Sequence, residues 1–150
     1  MDASDVEKAE RFGRRRARIM AVQAIFFISW QALFITNQTE DRVRAVDQFR
    51  VSAWMVWSIA LLVLLATGGG LITARKVRPI LEDELTRSHR RQAYVHGFWA
   101  AVISAIGLYA LDMVESVTAR EAIHVIVSAA IGAALLTFSV LDRRSRTMTD

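Results

Sequence analysis

The chain has 150 residues, 53% of them apolar and 23% charged, with a formal net charge of +4 and no cysteine. The missing thiols exclude disulfides, thiolate metal sites, iron–sulfur clusters and a cysteine nucleophile. The apolar residues fall in four blocks, beginning near Ile19, Val51, Tyr94 and Ala122, and so short a chain cannot bury four such blocks in a soluble core.

Each block is long enough, at about 1.5 Å per residue, to cross a hydrocarbon core of about 30 Å. The sequence therefore predicts an all-α integral membrane protein, a four-transmembrane-helix bundle. A cytoplasmic basic segment covers 1–18. The membrane domain covers 19–141, with spans at about 19–36, 51–74, 94–112 and 122–141 and a cytoplasmic helix-loop at 76–93. A tail covers 142–150. The first block has no small-x-small cleavage site after it and is not a secretory signal.

Orientation follows from the nineteen Lys and Arg residues. Six lie from Lys8 to Arg18, six from Arg75 to Arg91, and three after Leu141, against four in the two remaining loops. Basic residues beside spans favour the cytoplasmic side, so both termini are expected there. Trp30, Trp54, Trp57, Tyr94, Phe98, Trp99 and Tyr109 sit near predicted span ends, as interfacial rings do. The arginines beside span one read as orientation and anionic-lipid determinants, and no direct nucleic-acid partner is expected.

Along the chain, Glu7–Arg18 is expected to form a basic helix running into span one. Gln23 and Gln31, eight apart, mark a possible polar passage or an interhelical hydrogen bond. In the first outer loop Val43, Val46 and Phe49 fall near one helical face, the pattern of a short surface helix. Gly68-Gly69-Gly70 lies toward the inner end of span two and reads as close packing, a soft helix end or a hinge.

The inner connection, VRPILEDELTRSHRRQAY, opens with Pro79, a good first-turn residue. Acids follow near a helix N-terminus and arginines later, as the helix dipole prefers. A short cytoplasmic helix is expected, continuous with span three, with Ile80, Leu81, Leu85 and Ser88 or Gln92 as its packed stripe. Its charged residues Glu82, Asp83, Glu84, Arg87, Arg90 and Arg91 are the candidate partner-docking surface.

Gly97, Ala101 and Ala105 in span three, and Ser128 and Gly132 in span four, are spaced by four and are the candidate helix-packing positions. They predict contact between spans three and four, with homodimerisation as the competing use.

Chemistry is sparse. His89 and His96 are two turns apart and His124 is at the other membrane face, so no pair suits a haem. Asp112, Glu115, Glu121 and His124 gather around the last outer loop, where oxygen and imidazole ligands for a divalent cation are conceivable, but no zinc signature is present. No catalytic residue, cofactor site or metal site is assigned. No acid or base lies at a span midpoint, which counts against a proton-coupled transporter. Phosphate-binding glycine loops, dinucleotide fingerprints and GxSxG elbows are absent.

Four spans at this length also describe small multidrug transporters, but those carry a glutamate in the first span where this chain has Gln23 and Gln31. The stretch LEDELTRSHRRQAYVHGFWAA resembles small uncharacterised four-span bacterial membrane proteins with a DE-containing cytoplasmic loop. The resemblance runs from about Pro79 through span four and is carried by Asp83, Glu84, Arg91 and Gly97. Some members are encoded beside helix-turn-helix regulators, which implies sensing or sequestration at the membrane and supplies no catalytic residues. The expectation is a non-enzymatic accessory or regulatory protein of the bacterial inner membrane, contacting lipids and docking a protein partner. A small oligomeric transporter or channel subunit is the alternative.

Overall fold

The computed structural model describes residues 3–36, 44–68 and 84–147. They form four helices and, among the described residues, no strand: α1 (Ala3–Thr36), α2 (Arg44–Ala66), α3 (Glu84–Asp112) and α4 (Ala119–Thr147). Three of them are long and apolar enough to cross a membrane, over Phe49–Ala66, Glu84–Asp112 and Ala119–Ser145. Their outer faces are apolar as well. Met55, Val56 and Ile59 on α2 and Ile103, Ile106 and Tyr109 on α3 are exposed, which suits lipid rather than water.

α4 is the hub, packing against each of the other three helices. Its faces divide the work. Toward α3 it offers Ala130 and Ala134, against which Gly97 sits so closely that a Cβ there would lie 2.9 Å from the Ala130 carbonyl oxygen. Toward α1 it offers Gly132, where a Cβ would meet Ile28 at 2.8 Å. Toward α2 it offers His124 and Ser128, beside Trp54. Small residues let backbones approach in lipid, where dispersion and hydrogen bonds replace the hydrophobic drive between helices. Gly97 therefore does make the expected contact between the third and fourth helices, with Ala101 and Ala105 half-buried further along α3. Ser128 and Gly132 instead serve α2 and α1.

The core is one cluster, with Met20, Ala24 and Phe27 from α1, Leu61 and Leu65 from α2, Ala93 from α3, and Ile131, Leu135 and Phe138 from α4. Trp57 joins α2 to α1 by its ring contacts with Phe26 and Phe27.

Several boundaries differ from expectation. The basic segment does run into the first helix without a break. α2 begins at Arg44, so the expected surface helix of the first loop is continuous with α2 from that residue; Val43 lies outside the described residues. α2 ends at Ala66, short of Ala74. Gly68 takes φ +57° and its N–H bonds the Leu65 carbonyl at 2.9 Å, the left-handed closure of a helix end. Gly69 and Gly70 lie outside the described residues, as do Pro79 to Asp83. α3 is continuous from Glu84 through the span, as expected, but its packed stripe is His89, Ala93 and Gly97. Leu85, Ser88 and Gln92 are exposed. One continuous helix has one packing face, and Gly97 against α4 fixes it for the turns before.

Candidate functional site

Polar side chains gather at the two ends of the bundle. At one end Arg16, buried on α1, donates to the Asp142 carboxylate of α4 at 2.7 Å and to the Gly68 carbonyl at 3.1 Å. Its guanidinium lies 5.4 Å from the centre of the Phe138 ring. Both partners of the ion pair have side chains only 5% exposed. One turn away Ser139 donates to the Ala17 carbonyl at 3.1 Å, fixing α1 against α4. Arg90 of α3 donates to the Ala66 carbonyl at 2.6 Å. Two arginines from different helices therefore cover carbonyls that the end of α2 leaves without intrahelical donors, where the helix dipole also favours cations.

Arg90 thus belongs to the helix junction rather than to a free docking face. The other described docking candidates, Glu84, Arg87 and Arg91, are exposed. Glu82 and Asp83 lie outside the described residues.

At the opposite end Trp54 of α2 stacks on the buried His124 ring, with centroids 4.1 Å apart, and its indole N–H makes a long 3.4 Å bond to Ser128 Oγ. The half-buried Trp54 begins an inward stripe on α2 that continues through the buried Ser58, Leu61 and Leu65. On α1 the buried stripe runs Ala17, Met20, Ala24, Phe27, Gln31. Ala17 meets Ser139 and Ile28 meets Gly132, so the same antiparallel register sets Gln31 level with Ser128. Neither amide atom of Gln31, nor the hydroxyl of Ser58, has a hydrogen-bond partner among the described residues, and all three atoms are sealed from solvent.

Comparison with known proteins finds no match. No family model, no curated protein and no solved structure is similar to this chain.

Gln23 is half-buried and off the stripe that holds Gln31; the fully buried Phe27 packs between their levels. The last loop uses its polar groups on itself. Asp112 accepts from the Val117 N–H at 2.8 Å. Thr118 and Glu121 form a capping box, with the Thr118 N–H donating to Glu121 Oε2 at 2.9 Å and the Glu121 N–H to Thr118 Oγ1 at 3.3 Å. Among the described residues no three His, Asp or Glu side chains are placed to hold a metal ion. His89 faces into the bundle, whereas His96 is exposed, its Nδ1 2.9 Å from the Gln92 carbonyl on its own helix.

The pairing of Arg16 with Asp142 carries no sequence signal, because 126 positions separate them. The capping box does carry one: Thr118-x-x-Glu121 is a helix-start pattern readable directly.

Proposed function

We propose that this chain is a non-enzymatic accessory or regulatory protein of a bacterial inner membrane that docks a protein partner through the start of α3 and the segment before it. In this reading Ile19–Thr36, inside the continuous α1, is a fourth span of about 27 Å at 1.5 Å per residue, with Val22, Ile25 and Phe26 exposed to lipid. Both termini are cytoplasmic. The exposed Arg15, Arg18, Arg87, Arg91 and Arg143 then all sit at the cytoplasmic end, as the distribution of basic residues favours.

One observation carries the docking reading. The first turns of α3 are anchored on one side and presented on the other. His89 and Ala93 are buried and Arg90 is bonded to the end of α2, while Glu84, Arg87, Ser88 and Arg91 are exposed. A charged face on a rigid, tethered helix suits recognition, because little ordering entropy is lost when a partner binds. The test places a photocrosslinking residue at Arg87 or Arg91, with Glu115 at the far end as control, in native membranes. A partner captured from the α3 positions alone, and lost in Asp83→Lys/Glu84→Lys, is expected. Unchanged capture by the folded double variant overturns this surface.

A second reading, a small oligomeric transporter or channel subunit, is favoured by the buried amide of Gln31 and hydroxyl of Ser58. Its test is solute flux through the purified protein in vesicles, reduced by Gln31→Leu.

A further inference from the structure

The Trp54–His124 end of the bundle contains more polar chemistry than its packing uses. Gln31 offers two N–H donors and a carbonyl acceptor, and Ser58 offers a hydroxyl that can do both. All of these are buried without a partner among the described residues. They project from the packed stripes of α1 and α2, and the neighbouring stripe of α4 adds Ser128 and His124 under the Trp54 ring. None of Gln31, Ser58 and Ser128 is a carboxylate or a lysine, and Glu121, one turn before His124 on α4, accepts from the Thr118 N–H and hydroxyl in the helix cap. An apolar side chain at 31 or 58 would pack such a stripe without cost, as Phe27 and Leu61 do one turn away. A polar group held dry in a bundle is disfavoured relative to any state in which it is paired.

We propose that this end of the bundle is a closed binding site for a small neutral molecule that both donates and accepts hydrogen bonds, the class that includes water, urea and primary amides. The site fills when the Trp54–His124 stack parts and α2 moves from α4. A primary amide matches Gln31 at two points, donating to its carbonyl and accepting from its NH2. Ser58 lies about 13 Å along α2 from Phe49, counted at 1.5 Å per residue, so the site reaches from the bundle end to roughly mid-span. An ion is a poor occupant, because the buried Gln31, Ser58 and Ser128 side chains carry no charge to offset its desolvation. Entry from the extracytoplasmic side rests on the orientation proposed above; the existence of the site does not.

The absence of cysteine from the chain makes the test clean, since any introduced thiol is unique. Ser58→Cys nearly preserves size. Ile59→Cys lies at the same depth but faces lipid, and Glu115→Cys in the exposed loop sets the rate of a free thiol. Each full-length variant is reconstituted in vesicles, checked for a native unfolding transition, and treated with a small charged methanethiosulfonate, added outside or on both sides. Ser58→Cys is expected to react at roughly 0.1–10% of the Glu115→Cys rate, the population of a minor open state, and Ile59→Cys not measurably. Slowing of the Ser58→Cys reaction by acetamide identifies an amide-type solute as occupant, whereas reaction without slowing identifies water. Adding Gln31→Leu should slow the reaction severalfold by removing the amide that favours filling. An unreactive Ser58→Cys overturns the proposal, and so does an equal rate at Ile59→Cys. Reaction only with reagent on the cytoplasmic side keeps the site and overturns the orientation.

Discussion

The ion pair between Arg16 and Asp142 gives the sharpest stability prediction. Arg16→Met and Asp142→Leu each leave the other charge buried and unpaired. With both side chains 5% exposed, little water screens the remaining charge, and loss of one member of such a pair costs about 3–5 kcal/mol. Arg16→Met should be the costlier, because it also removes the donor to the Gly68 carbonyl and the contact over the Phe138 ring, the latter worth about 0.5–2 kcal/mol. The double variant has no stranded charge and is expected to be more stable than either single one. Unfolding of purified protein in mixed micelles, followed by the fluorescence of its four tryptophans, measures all three. Single costs within about 1 kcal/mol of the parent, the range of exposed pairs, with additive behaviour in the double variant, would refute the argument.

Four further outcomes follow from the same packing. Gly97→Ala should destabilise by about 1–3 kcal/mol, since its new methyl meets the Ala130 carbonyl at 2.9 Å and Ala134 at 3.1 Å. Gly107→Ala, which has open space around it, should be neutral or stabilising by up to about 1 kcal/mol in the same assay. Gly68→Ala should cost about 1–2 kcal/mol through its left-handed backbone alone, because its Cβ would make only an ordinary 3.5 Å contact with Thr86; a neutral result would show that the turn relaxes freely. Gln31→Leu should raise stability by about 1–3 kcal/mol, the penalty of a buried unsatisfied amide, and a loss of stability would mean that the amide is paired.

The helices were legible in the sequence because block length and charge distribution report them directly. Which face of each helix turns inward was not. In a soluble helix the polar face points outward and marks the stripe, but lipid accepts the same side chains as the core. Phe26 and Phe27 show this well: adjacent and chemically identical, one is exposed and the other fully buried. The same blindness misplaced the stripe on the first turns of α3, where Leu85 is exposed and His89 buried. At the end of α2 the glycine run is conspicuous, but the apolar residues beyond it favour more helix; the positive φ of Gly68 closes it first. Gln31 was singled out for its polarity in an apolar block. Ser58 carries no such mark, since nothing local distinguishes a serine that will be sealed from one that bonds its own helix.

The central position of α4 has a consequence for assembly during synthesis. Each of the other helices packs on it, and it follows them in the chain. For the few seconds that its 29 residues take to emerge at about 5–20 residues per second, α1, α2 and α3 are without their common partner. Interruption of translation after Asp112 therefore leaves three helices with Arg16 lacking Asp142 and Gly97 lacking the Ala130 backbone, and a chain cut there should be degraded faster than the finished bundle.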